Sequence, residues 1–226
     1  MKRSPIKRNR KEYIQTASGN IVCRKTILCG SQNIHLLGTC IIDQGVILRG
    51  DLAVIRIGQY VILEPNCIIR PSFKKFKEKY GSIPISIGDC VHIGENSIIM
   101  ATSIGSNILI GDNCIIGHAS IIKDNCIILP NTVISPDTVI PPFTEWSGNP
   151  GRLIRRLPES ISIKLQQDTI DYYTNYQLIS LNSQNSIKSE SGLISRTNTS
   201  VISKLQTGIE QNYSTEISQP ELNTGT

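Results

Sequence analysis

Aliphatic residues recur along the middle of the chain at a step of six. The row begins Ile57, Leu63, Ile69 and resumes as Ile87, Ile93, Ile99. One step of five leads to Ile104, and the step of six then continues through Ile110, Ile116, Ile122, Ile128, Ile134, Ile140 and Trp146. An amphipathic helix needs apolar spacings of three and four, and a half-buried strand needs two. A sustained six fits neither. It fits a repeat in which each unit is one short strand and one turn, stacked on its neighbours.

The positions between the aliphatic residues agree. Gly58, Gly88, Gly94, Gly105, Gly111 and Gly117 each follow a repeat aliphatic. Asp or Asn then falls at the turns: Asp89, Asn96, Asn107, Asp112, Asn113, Asp124, Asn125, Asn131 and Asp137. These residue types tolerate the positive φ of sharp corners. The fifth position is small or β-branched, as in Val61, Cys67, Val91, Ser97, Ser103, Cys114, Ser120, Cys126, Thr132, Thr138 and Thr144. Two side chains per unit thus face inward, and three units make a triangular coil. The pattern predicts a mainly β chain, a left-handed parallel β-helix of hexapeptide repeats with a C-terminal α-helix packed along it. Ile21 and Ile27, and Ile41 and Ile47, keep the spacing upstream, so the β-helix is expected over 21–150. No Phe, Tyr or Trp occurs between Tyr80 and Phe143, which suits an interior too narrow for rings.

The step of six fails between Ile69 and Ile87. Residues 70–84, RPSFKKFKEKYGSIP, are predicted to loop out at a corner, and Phe73, Lys74, Lys75 and Phe76 are the expected partner-binding residues. Residues 1–20 read as a basic arm, because Lys2, Arg3, Lys7, Arg8, Arg10 and Lys11 precede the first acid, Glu12. After Gly151 the repeat ends. Leu157-Pro158-Glu159 reads as a helix start, and Ile161, Leu165, Tyr172 and Tyr176 share one helical face. The connector and helix occupy 151–179, with the helix over 158–178. From 180 to 226 the chain is rich in Ser, Asn and Thr and is expected to be disordered.

Formal net charge is +5, from 23 Lys and Arg against 18 Asp and Glu. No apolar run reaches membrane-spanning length, and no secretory leader is visible. The seven cysteines contain no C-x-x-C pair, which argues against a zinc ribbon. Cys67, Cys114 and Cys126 fall in the small inward slot and read as buried thiols, whereas Cys90 falls at a corner, where exposure is expected. A cytoplasmic chain with reduced thiols is the expectation, with no nucleic acid and no membrane insertion.

Hexapeptide β-helices include acyltransferases and gamma-class carbonic anhydrases. Arg49-Gly50-Asp51, Ile55-Arg56-Ile57-Gly58 and Ser147-Gly148-Asn149-Pro150-Gly151-Arg152 resemble the carbonic anhydrase-like proteins. Their zinc needs three His ligands. Aligned by register, those positions fall at Arg70, Glu95 and Met100. No metal, cofactor or catalytic residue is therefore expected. His35, His92 and His118 are scattered and read as surface residues, and Arg49 with Asp51 reads as a structural ion pair. A divergent hexapeptide-repeat enzyme is the alternative.

More specific runs lie beyond the repeat. Glu12-Tyr13-Ile14-Gln15-Thr16-Ala17-Ser18-Gly19-Asn20, Leu28-Cys29-Gly30-Ser31-Gln32-Asn33-Ile34, Arg49-Gly50-Asp51-Leu52-Ala53 and Ile69-Arg70-Pro71-Ser72-Phe73-Lys74-Lys75-Phe76 resemble the dynactin subunit 5 family. So do Val139-Ile140-Pro141-Pro142-Phe143-Thr144 and Leu157-Pro158-Glu159, and the resemblance spans about residues 12–178. It implies a non-catalytic subunit of the dynactin pointed-end complex, in the cytoplasm and cytoskeleton. Dynactin subunit 6 and the other pointed-end subunits would be direct partners. Cargo adaptors and dynein would be indirect ones, in microtubule-based transport.

Overall fold

A computed structural model describes residues 12–76 and 79–188, without the side chains at 75–80 and beyond 176. Met1–Asn182 forms one compact unit and Ser183–Thr226 a second, of which only residues 183–188 are described.

The six-residue row stacks as expected. In the first sheet Ile110 pairs in parallel with Ile93 and Ile128; in the second, Ile116 pairs with Ile99 and Ile134. In the third, Ile122 pairs with Ile104 and Ile140. Second and third sheets have 6 strands each, and the first has 9. The inward aliphatic residues form one continuous buried core, with Trp146 packed against it. Cys40, Cys67, Cys114 and Cys126 are wholly buried in that core. Cys90 does sit at a corner, with φ 55, but it is buried, contrary to the expected exposure.

The corners are held by side-chain ladders. Asn66, Asn96, Asn113 and Asn131 all have positive φ, which Asn adopts at less cost than most residues. Their amides hand a hydrogen bond from coil to coil, at 3.2, 3.3 and 3.3 Å. The repeat glycines have a different cause from the one the pattern suggested. None has positive φ; a Cβ on Gly88 would lie 2.7 Å from the Gly105 carbonyl oxygen. They are required because the next coil approaches too closely for a side chain.

Two register expectations change. The step of five between Ile99 and Ile104 turns Ser103 outward, where it pairs with Ser86 and Ile121. Upstream, Ile41 pairs with Ile62, one place off the inward row, and the inward residue is Ile42, paired with Leu63. Ile21, Ile27, Ile41 and Ile47 all point outward, because the inward row passes through Val22, Leu28, Ile42 and Leu48.

Both edges of the first sheet reverse direction. Tyr13–Gln15 pairs antiparallel with Ile21–Cys23, so these residues belong to the sheet and not to the expected arm over 1–20. The cause is apolar and polar anchoring together: the Tyr13 hydroxyl donates to Asp43, and its ring meets Tyr176 edge-on at 6.0 Å. Residues 1–11 lie outside the described residues. At the other edge Arg152–Arg156 pairs antiparallel with Thr144–Ser147.

The helix is Ile161–Lys188. It starts later than 158 because Pro158 and Glu159 form its entry turn, with Ile161 N–H donating to the Pro158 carbonyl at 3.0 Å. It continues through 180–188, where disorder was expected. Neither Gly nor Pro interrupts the chain before Gly192, so nothing local stops it. Residues 189–226 lie outside the described residues. Tyr173, absent from the expected face, is the central contact of the helix. It is buried among Ile21, Ile41 and Ile62, and its hydroxyl donates to the Gly19 carbonyl at 2.6 Å.

Candidate docking faces

The outward residues of each sheet form one row along the β-helix, one residue per coil. The first face carries Ile21, Ile41, Ile62 and His92, and the helix covers this stretch. The third face is mixed: His35, Arg56, Ser86, Ser103, Ile121 and Val139. The second face is uniformly aliphatic: Ile27, Ile47, Ile68, Ile98, Ile115 and Val133. In this row Ile27 and Ile115 are 52% and 38% exposed, and Ile47, Ile68, Ile98 and Val133 are half-buried. At strand spacings of ~4.8 Å it forms a flat apolar stripe about 24 Å long. Contiguous exposed apolar surface of this kind marks contact sites on soluble proteins.

The insertion is not an irregular loop. Ser72–Phe76 and Lys79–Ile83 form an antiparallel hairpin, with Ser72 opposite Ile83. It folds back along the corner between the second and third sheets. The buried Ser72 hydroxyl donates to the Met100 carbonyl, and Ala119 N–H donates to Ser72 Oγ at 2.9 Å. Phe73 meets the His118 ring edge-on at 5.4 Å yet stays 50% exposed. Lys74 reaches Asp137 at 3.4 Å in an exposed pair, which contributes little. The side chains of Lys75 and Phe76 lie outside the described residues.

The positions equivalent to zinc ligands do not converge. Arg70 and Met100 follow paired strands and lie in adjoining coils at one corner. Glu95 lies at the preceding corner, where its N–H donates to Asp112 Oδ1 at 3.0 Å. Neither a guanidinium nor a thioether replaces the imidazole donors that a three-histidine zinc site needs. Among the described residues no group of three His, Cys, Asp and Glu side chains is close enough to hold a metal.

Two of the histidines, His92 and His118, differ from the surface reading. His92 Nε2 lies 2.9 Å from Glu64 Oε1, and its ring meets Tyr172 of the helix at 5.1 Å. It is part of the joint between helix and sheet, a role its outward repeat position could not reveal without the helix. His118 Nδ1 is buried without a hydrogen-bond partner. Arg49 and Asp51 form the expected ion pair, bidentate at 2.8 Å in both contacts. The Arg49 guanidinium holds the Asp51 carboxyl below its usual range.

These features match known proteins in different degrees. A putative acetyltransferase from Bacillus cereus aligns at TM-score 0.47 and 21% identity, covering 69% of this chain and 98% of that one. AntD, an N-acyltransferase from Bacillus cereus solved with dTDP and 3-hydroxybutyryl-CoA, aligns at TM-score 0.45 and 15% identity, covering 69% and 88%. Sequence similarity is far stronger elsewhere. Dynactin subunit 5 of Dictyostelium discoideum is 56% identical over 165 residues, 73% of this chain and 83% of that protein. The family model described as Dynactin subunit 5 matches residues 1–182, the whole β-helix and most of its helix, and the chain belongs to that family.

Proposed function

We propose that the chain is a non-catalytic subunit of the dynactin pointed-end complex, seated against a neighbouring subunit through its second face. Dynactin subunit 6 is the expected neighbour, with the other pointed-end subunits close by. The carrying observation is the outward, uniformly aliphatic row Ile27, Ile47, Ile68, Ile98, Ile115 and Val133. Burying such a row stabilises a contact at about 25 cal/mol per Å² before association costs. The hairpin-strand residues Phe73, Lys74, Lys75 and Phe76 provide a second contact. Through the complex the subunit supports dynein-driven transport on microtubules and meets cargo adaptors indirectly, in the cytoplasm.

The test is the double substitution Ile98→Lys with Ile115→Lys. Both side chains point outward, so the β-helix should fold. The variant should lose co-purifying dynactin subunits. Recovery of those subunits at the unmodified chain's level would sink the second-face contact.

A further inference from the structure

We propose that the third face carries a docking site for an acidic, aliphatic-bearing extended segment of a partner protein. A concavity of about 520 Å³ lies there, lined by His35, Leu37, Arg56, Ile57, Ser86 and Ile87, with Gly58 in its floor. It is built by three successive coils. His35 pairs with Arg56, and Arg56 with Ser86, so three polar side chains stand in one outward row. Beside that row Leu37 stands 68% exposed. Its neighbour in the next coil is Gly58, which contributes no side chain, so Leu37 forms an end wall over a low floor.

Charge selects the occupant. Arg56 is exposed and makes no ion pair among the described residues. An acid lies close to the Gly58 floor: Asp89, whose Oδ1 stands where a Cβ on Gly58 would point. That oxygen already accepts the Gln59 N–H at 2.7 Å. A carboxylate arriving from outside therefore meets an unpaired guanidinium, with the Ser86 hydroxyl and the His35 ring on either side. The bidentate fork of an arginine suits a carboxylate. An aliphatic side chain next to that carboxylate covers Leu37 and removes its surface from water. A second copy of this chain is a poorer occupant, because Arg56 would face the same outward row with its own Arg56. This site is separate from the second-face contact, so either can fail alone.

The experiment uses the full chain and three fluorescein-labelled nine-residue peptides, read by polarisation. One alternates Leu and Glu, one Leu and Lys, and one Ser and Glu. The Leu-Glu peptide should bind about tenfold tighter than either of the others, as complementary charge and apolar contact act together. Arg56→Glu should reverse the preference towards the Leu-Lys peptide, and Leu37→Ser should weaken Leu-Glu binding about fivefold. Both side chains are exposed, and circular-dichroism melts should match the unmodified chain. Equal binding of the peptides, an unchanged preference in Arg56→Glu, or no binding would overturn the proposal. So would a concentration-dependent dimer abolished by Arg56→Glu, which would give the site to a second copy.

Discussion

Ser72 and Ala119 are 47 positions apart, and the Ala119 N–H donates to the Ser72 hydroxyl at 2.9 Å. The same hydroxyl donates to the Met100 carbonyl, so one side chain ties the root of the hairpin to two later coils. The short step from Ile99 to Ile104 makes this tie necessary. That corner lacks the positive-φ residue present at Ala119 and Asp137, and Ser72 supplies the polar partner instead. Ser72→Ala should cost about 1–3 kcal/mol in urea unfolding, since it leaves a buried N–H and carbonyl short of a partner. Amide exchange at Ala119 should accelerate. Unchanged exchange there would deny the tie.

Neighbouring residues in one strand should respond oppositely to the same substitution. Ile116 is wholly buried and Ile115 is 38% exposed. Ile116→Asp buries an unpaired charge and should unfold the scaffold, a loss beyond about 4 kcal/mol. Ile115→Asp should leave a folded chain. Circular dichroism and thermal melts read both. A folded Ile116→Asp chain would contradict the register.

The helix depends on Tyr173. Its buried ring meets Tyr60 edge-on at 5.6 Å. Tyr173→Ala should destabilise by about 3–5 kcal/mol, as for other buried aromatic deletions. Tyr173→Phe keeps the ring and loses only the bond to Gly19, for about 1 kcal/mol. Limited proteolysis within 161–176 should accelerate strongly in the first and little in the second.

The period of six made the core legible, because the inward aliphatic row from Ile57 to Ile140 keeps it apart from one step of five. It did not reveal the longer first coils. Asn107 and Asn125 are 18 apart, whereas Thr39 and Tyr60, bonded across the same corner, are 21 apart. The longer first coils put Ile21, Ile41 and their fellows one place off the inward row. The single short step hid Ser103 in the same way. Positive φ at Tyr60, Cys90 and Phe143 carries no residue signal either; the stacked coils impose it. The docking stripe was unread for a related reason. Its residues are apolar like the core, and only strand pairing separates outward Ile98 from inward Ile99.

Burial also sets an alkaline limit. The Cys67 thiol is pushed from 9.0 to about 12, chiefly by desolvation. The folded state thus holds its proton more tightly than the unfolded state does. Its contribution is fully present below pH 9 and declines as pH rises from about 9 to about 12, because the unfolded chain ionises first. Cys40, Cys114 and Cys126 are shifted in the same direction by burial. Unfolding free energy should fall over that window, and iodoacetamide at pH 8 should label the half-buried Cys29 before these four. Rapid labelling of Cys67 in the folded chain would contradict the packing.

The most direct measurement is quantitative mass spectrometry of what co-purifies with the tagged full chain at its native level, together with metal analysis of the same sample. Membership of the complex as a non-catalytic subunit predicts the other dynactin subunits in stoichiometric yield and zinc bound to this chain well below one equivalent. A folded chain recovered without dynactin subunits, carrying one equivalent of zinc, would contradict the account.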